Sequence, residues 1–176
     1  MGMDVFGRAP TSEVGAYFRR TVWGWHPLAD IVCALAPKIT AGCLHWHTND
    51  GDGLDAKASG ILGRTLRSAL RSGEAARRIA ERQARIDALP DETCTLCKGT
   101  GIRTDELGRE HGQPQRLISL ETGAEPDHPR LGQTGWCNGC DGRGATPAFL
   151  KHYRCDAGDI AEFADFLEAC GGFEIC

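Results

Sequence analysis

Two short cysteine repeats constrain the fold of this 176-residue chain more than any other feature of its sequence. The text CTLCKGTG at 94–101 is echoed by CNGCDGRG at 137–144, so both segments read C-x-x-C-x-G-x-G. A two-residue gap lets both sulfurs of one turn reach the same ion, and two such turns complete a tetrahedron. Glycines after the second cysteine allow positive φ and let backbone N–H groups point at the thiolates. The spacing therefore predicts a metal-binding module over 91–144.

Four thiolates with no open position are typical of a structural zinc site, because catalytic zinc keeps one position for water. The sequence thus predicts one structural Zn²⁺, no catalytic residue and no small-molecule cofactor. The alternative is two turns without metal, or a redox pair. Redox C-x-x-C motifs usually begin a helix that follows a strand, and neither element is evident here. The predicted ligands are Cys94, Cys97, Cys137 and Cys140.

The repeat C-x-x-C-x-G-x-G is similar to that of the cysteine-rich zinc domain of DnaJ-type co-chaperones. The resemblance covers 94–101 and 137–144 only, and no J-domain accompanies it. Two repeats stand here where that family has four, so the resemblance implies one zinc ion instead of two. It also implies a pair of zinc knuckles forming a hairpin that presents unfolded or partner polypeptide.

Three further segments, GAYFRRTVWGWHPL, HTNDG and GGFEIC, resemble short bacterial and phage-associated proteins that carry a similar zinc hairpin. This resemblance supplies no activity. It implies that the helices and the zinc hairpin form one unit, closed by the C-terminal segment. A phage-associated accessory or host-modulating factor, occupying a surface on a host complex, is the concrete expectation.

Apolar residues recur at helical spacing on both sides of the cysteine module. The pattern predicts a helix over 12–25, with one buried face, and a second helix from Pro27 to the stop at Pro37. Gly73 separates two further predicted helices at about 56–72 and 74–89. The buried face predicted for the first helix comprises Val14, Tyr17, Phe18, Thr21 and Trp25.

The C-terminal segment predicts a helix that begins at Asp156 as N-cap and ends at Gly171-Gly172, followed by a short strand or extended tail. Within the module only 115–121 has the pattern of a strand. The predicted fold class is mainly α, a small helical domain with an inserted zinc-stabilised β-hairpin module. The predicted parts are a helical domain at 1–90, the module at 91–144, and a C-terminal helix at 145–176 that packs back on the first part.

The loop at 45–52 holds a second group of potential metal ligands. Cys43, His45 and His47 alternate along an extended segment, which would place them on one side, and several aspartates follow. A second metal or an active site here is one hypothesis, but no distant fourth ligand is evident. The alternative interpretation is structural: Asn49-Asp50-Gly51 forms a turn before a helix that starts at Asp55.

The two middle helices carry a basic face that could contact a partner. The alternatives are pairing with the acidic C-terminal helix, binding to phosphates of nucleic acid, or contact with an acidic protein. Trp23 and Trp25 belong either to the core or, in part, to an exposed binding surface. The basic residues are Lys57, Arg64, Arg67, Arg71, Arg77, Arg78, Arg82 and Arg85.

Nine cysteines, an odd number, fit metal ligands better than a disulfide framework. No apolar run reaches the length of a spanning helix and the start lacks a leader pattern, so we expect a cytoplasmic protein without membrane contact. The expected function is binding, with another protein as the expected partner. The alternatives are a nucleic-acid-binding zinc protein that uses the basic helices at 57–85, and a metal-dependent enzyme that uses the 45–52 loop.

Overall fold

A computed structural model describes residues 2–106, 135 and 137–176 of the chain. The chain divides into two units. The helix–sheet unit comprises Met1–Ala88 and Leu150–Cys176, and the cysteine unit comprises Leu89–Phe149. The strand expected at 115–121, and most of the segment 102–136, lie outside the described residues.

The helix–sheet unit alternates short strands with helices along the chain. Its helices are α1 (Glu13–Ala16), α2 (Val22–Leu35), α3 (Pro37–Thr40), α4 (Ala56–Ser72), α5 (Glu74–Asp87) and α6 (Ala157–Ala169). Its strands are β1 (Gly2–Gly7), β2 (Tyr17–Thr21), β3 (Asp52–Leu54) and β6 (Phe173–Ile175). The cysteine unit contributes β4 (Glu92–Thr93) and β5 (Ala145–Thr146), and a 3₁₀ helix covers Phe149–His152. None of the helices described here is both long and apolar enough to cross a membrane.

The helix–sheet unit contains an antiparallel sheet with strand order β2-β1-β6-β3. The C-terminal strand β6 lies in the middle, where Val5 of β1 pairs with Ile175 and Gly53 of β3 pairs with Glu174. A Cβ on Gly53 would lie 1.9 Å from the carbonyl oxygen of Phe173, so this strand needs glycine. About half of the described residues are helical, and the sheet makes the fold mixed α/β. The expectation of a mainly α fold is therefore only roughly correct.

The predicted helix over 12–25 is wrong. The segment forms the short helix α1, then strand β2, and α2 starts at Val22 instead of Pro27. Val14 and Tyr17, which the helical pattern places on a buried face, are 55% and 45% exposed. The physical reason is non-local, because β2 pairs along its whole length with β1. The periodicity of one segment does not reveal a strand partner elsewhere in the chain.

The predicted helices at about 56–72, at about 74–89 and after Asp156 are confirmed to within two residues. Asp55 caps α4 by accepting the N–H of Ala58 at 2.7 Å, and Gly73 ends α4 at φ +80°. Asp156 forms a capping box with Asp159 at the start of α6, and the tail forms β6 as expected. Local capping and turn chemistry is sufficient to place these ends.

Aromatic side chains dominate the core of the helix–sheet unit. Trp25 stands edge-on to Phe163, with ring centroids 5.6 Å apart, and its indole N–H donates to the carbonyl of Trp46 at 2.5 Å. Gly63 of α4 lets α6 approach closely, because a Cβ there would lie 3.2 Å from the carbonyl oxygen of Ala164. The largest fully buried side chains are Trp25, Phe163, Phe166 and Phe173.

Candidate metal centre

Each cysteine repeat folds into a tight turn that directs a backbone N–H at one of its own sulfurs. Gly101 N–H donates to Cys97 Sγ at 3.3 Å, and Gly144 N–H donates to Cys140 Sγ at 3.2 Å. The prediction that backbone at positive φ points N–H groups at the sulfurs is thus confirmed. The positions with positive φ match between the turns and are Lys98, Gly99 and Gly101 in the first, and Asp141, Gly142 and Gly144 in the second.

The two turns are joined by reciprocal backbone hydrogen bonds. Cys94 N–H donates to the carbonyl of Gly144 at 2.9 Å, and Cys137 N–H donates to the carbonyl of Gly101 at 3.0 Å. A Cβ on Gly144 would lie 2.3 Å from the carbonyl oxygen of Gly99, so the turns approach too closely for a side chain there. These backbone contacts place the two cysteine pairs face to face.

The four sulfurs form a cluster with the dimensions of a tetrahedral metal site. Cys94 Sγ lies 3.8 Å from Cys137 Sγ, and Cys97 Sγ lies 3.7 Å from Cys140 Sγ. A tetrahedron with metal–sulfur bonds of about 2.3 Å has sulfur–sulfur edges of about 3.8 Å. All four ligand atoms lie within 4.8 Å of one another, and all four cysteines are buried. These distances also exclude disulfides, which need about 2.05 Å.

The thiols of the cluster differ in how readily they ionise. Burial opposes ionisation of Cys97, but the N–H of Gly101 and the neighbouring thiol of Cys140 outweigh it and lower its pKa to about 7. Burial instead raises the pKa of Cys137 to about 12. Without a cation the cluster cannot hold four negative sulfurs, whereas a bound metal ion makes every thiol a thiolate ligand.

The donor set fits zinc. Four buried thiolates in tetrahedral arrangement select zinc or iron among the common metals, and they leave no position for a water ligand. Two of the sulfurs already accept backbone N–H bonds, as the ligands of structural sites do. The four cysteines could therefore coordinate one metal ion in a closed site.

The remaining five cysteines form no comparable cluster in the described part of the chain. All are free thiols, and burial together with the nearby Asp52 carboxylate raises the pKa of Cys43 to about 12. Cys155 has its pKa raised to about 12, mainly by burial. Neither thiol is a ready nucleophile or ligand at neutral pH.

The 45–52 loop does not assemble a metal site among the described residues. His45 pairs with Asp50 at 3.6 Å, while His47 lies 3.3 Å from Asp30 of α2. Asp52 instead serves the backbone: its carboxylate accepts the N–H groups of Leu44, His45 and Gly53 at 2.6, 2.9 and 2.7 Å. This anchoring role of Asp52 was missed from sequence, because Leu44 and His45 precede it by eight and seven residues, beyond the reach of a local Asx turn.

The basic residues do not form one uniform surface. Arg67 of α4 pairs with Asp165 and, at 3.9 Å, with Glu168 of α6, so part of the expected pairing with the acidic helix is present. Arg64 and Arg71 make no ion pair with any residue the structure describes. Arg78 and Arg82 of α5 instead face α2 beside a cavity.

The two tryptophans proposed for a binding surface have different environments. Trp25 is fully buried in the aromatic core, so the core alternative is confirmed for it and its assignment to a binding surface is wrong. Trp23, two residues earlier on α2, is 39% exposed and packs against the ring of Tyr153 at 5.1 Å. The helical period explains the difference, because two residues apart is about half a turn.

A scan against protein-family models, a search of curated proteins and a search of solved structures each found no match to this chain. The likeness to DnaJ-type zinc hairpins therefore depends on the two repeats alone, and the phage association stays a prediction.

Proposed function

We propose that this chain is a zinc-binding protein whose cysteine unit holds one structural Zn²⁺ and mediates protein interaction instead of turnover. The observation that carries the proposal is the buried cluster of four sulfurs within 4.8 Å of one another. A bound zinc ion would link the two cysteine turns and supply the energy that holds them together. It would have no free position for substrate.

An exposed apolar side chain on the first cysteine turn supports the interaction role. Leu96 lies between the two cysteines of that turn and is 52% exposed. It reaches the second turn, since a Cβ on Gly139 would lie 2.5 Å from Leu96 Cδ1. Ile102, just after the first turn, is 38% exposed. Apolar groups displayed on a metal-stabilised scaffold are suited to binding polypeptide, as the resemblance to DnaJ-type hairpins implies.

Metal analysis tests the zinc half of the proposal. We expect elemental analysis of the purified protein to find one zinc ion per chain, and Cys137→Ser to lose it. Cys176→Ser is the matched control, because this exposed thiol lies outside the cluster and its loss should leave the zinc content unchanged. Iron in place of zinc, or full zinc content in Cys137→Ser, would contradict the assignment.

A binding assay tests the interaction half. Reduced, carboxymethylated α-lactalbumin is a permanently unfolded polypeptide, and we expect the zinc-loaded protein to bind it. Leu96→Ser should weaken that binding with zinc content unchanged, whereas Leu44→Ser, at an 82% exposed site on the helix–sheet unit, should have no effect. If neither variant changes binding, or no binding occurs, the interaction role is wrong while the zinc site stands.

A further inference from the structure

Helix α5 places three arginines along one face beside a cavity of about 240 Å³. Arg78, Arg82 and Arg85 are spaced by four and three residues, so they lie on the same side of the helix and line the cavity together. The opposite wall comes from α2, including Asp30. The cavity is far larger than the ~30 Å³ that one water molecule occupies in the liquid.

Arg82 is held in place by the protein itself. Its guanidinium donates to the carbonyl of Tyr153 at 2.8 Å and lies 3.6 Å from the Asp30 carboxylate. Its side chain is only 15% exposed. Arg82 therefore forms a fixed, positively charged part of the wall, and its own donors are largely used.

The other two arginines have unused donors. Arg78 Nε is buried without a hydrogen-bond partner in the described structure, and the nearest carboxylate oxygen, from Glu74, lies 4.0 Å away. Arg85 is exposed and makes no hydrogen bond or ion pair with any residue that the structure describes. A buried guanidinium N–H such as Arg78 Nε normally has an acceptor. An acceptor that enters the cavity would satisfy Arg78 Nε and would also pair with the exposed guanidinium of Arg85.

Two carboxylates also line the cavity, and each already has an arginine partner. Asp30 lies 3.6 Å from Arg82, and Glu81 lies 2.6 Å from Arg77 and 4.0 Å from Arg78 Nη1. Three guanidinium groups against two carboxylates leave one positive charge in excess on the lining. The buried donor without a partner, Arg78 Nε, belongs to a cation, so the ligand that suits it and the neighbouring Arg85 is an anion with several acceptor oxygens.

We propose that the cavity between α2 and α5 binds a phosphate group, free or as a small monoester, through Arg78 and Arg85. Arginine suits this ligand because its planar fork of N–H donors matches the geometry of phosphate oxygens. Arg82 contributes charge from the wall. The site involves no residue of the cysteine unit and does not depend on its metal.

Calorimetric titration with inorganic phosphate and with phenyl phosphate at low ionic strength tests the proposal. We expect saturable binding of one phosphate per chain, weakened about tenfold by Arg85→Gln and by Arg78→Gln through loss of a charge-assisted bond. Arg64→Gln is the matched control, because it removes the same charge from unpaired Arg64 on α4, which does not line the cavity. Melting curves establish that each variant is folded.

The two titrants distinguish the sources of the ligand. Tighter binding of phenyl phosphate indicates that the cavity takes the phosphate of a larger molecule, and tighter binding of inorganic phosphate indicates the free ion. Absence of saturable binding would overturn the proposal. Equal weakening by Arg64→Gln would also overturn it, because it would indicate a diffuse basic face of the kind that binds nucleic acid.

Discussion

The helix–sheet unit and the cysteine unit bury different kinds of side chain. In the helix–sheet unit the core is a continuous cluster of aromatic and aliphatic residues centred on Trp25, Phe163 and Phe166. In the described part of the cysteine unit the buried cluster consists of four cysteines. The first unit has the apolar content of an ordinary folded domain, whereas the described residues of the second bury little except their thiols.

This difference indicates two sources of stability. Full burial of a Phe or Leu side chain contributes about 1.5–3 kcal/mol, and the helix–sheet unit has many such residues. Four cysteine side chains supply much less apolar area than these residues. Burial also raises the pKa of Cys137 to about 12, so ionising this thiol in the cluster is unfavourable. Structural zinc in small modules binds with apparent free energies of about 10–16 kcal/mol at neutral pH, and that binding is coupled to folding. We expect the cysteine unit to depend on metal and the helix–sheet unit to be independent of it.

Removing a ligand should have the largest effect. We expect Cys137→Ser to release the metal and unfold the cysteine turns, because three thiolates cannot close the tetrahedron. The far-UV circular dichroism of the helices should survive. Amide NMR signals of 92–101 and 137–146 should lose their dispersion, while those of α4 and α6 should not move. Collapse of the helical signal on loss of metal would mean that the two sources of stability are not separate.

The reciprocal substitution is Phe163→Ala, in the aromatic core. Deleting this fully buried ring should lower the free energy of unfolding of the helix–sheet unit by about 3–5 kcal/mol, through lost burial and the cavity left behind. Urea unfolding followed by tryptophan fluorescence measures the loss. Leu44→Ala, at an 82% exposed side chain, is the control and should change little. The zinc content of folded Phe163→Ala should equal that of the unaltered protein. A loss of zinc in this variant would mean that the stability of the cysteine unit depends on the core of the helix–sheet unit.

The cysteine turns could be predicted from sequence because every determinant is local. The C-x-x-C-x-G-x-G spacing specifies which sulfurs converge and which backbone positions take positive φ, and the structure agrees at Gly101 and Gly144. The ends of α4 and α6 are similarly local, since Asp55 and Asp156 cap the helices that follow them.

The sheet could not be predicted in the same way. Strand β6 at the C-terminus pairs with β1 near the N-terminus, about 170 residues away in the sequence. The short segments β1 and β3 have no strong pattern of their own, and β2 has apolar residues whose spacing also fits a helix. Likewise, the environment of Arg78 and Arg85 depends on how α5 packs against α2, which periodicity does not specify.

A smaller effect is expected at Asp52 of the helix–sheet unit, whose carboxylate accepts hydrogen bonds from three backbone N–H groups. Asp52→Asn replaces one of the two accepting oxygens with an N–H₂ group, so either the N–H groups of Leu44 and His45 or that of Gly53 lose their acceptor. We expect a loss of about 1–2 kcal/mol in the free energy of unfolding. Asn49→Ala is the control, because the Asn49 amide reaches its acceptor only at 3.5 Å.

The Asp52 effect should depend on pH. Burial opposes the charge, but the N–H groups of His45, Leu44 and Gly53 outweigh it and lower the pKa of Asp52 below its ordinary value. A carboxyl with a lowered folded-state pKa stabilises the fold fully above the unfolded pKa of about 4, and loses that contribution as pH falls through the folded-state pKa. The stability difference from Asp52→Asn should therefore shrink in acid. A constant difference, or altered metal content, would contradict this role.

The smallest effect concerns charge on the surface of the helix–sheet unit. Arg67→Glu places a carboxylate against Asp165 and Glu168 of α6, whereas Arg64→Glu makes the same charge change where no pair exists. Arg67 is about one-third exposed, so solvent screens its pairs and we expect a loss of about 1 kcal/mol, against about 0.5 kcal/mol or less for Arg64→Glu. Urea unfolding at low and high salt measures both, and the difference should narrow in high salt. A loss at Arg67 as large as that of Phe163→Ala would mean that ion pairs, and not aromatic burial, hold α4 to α6.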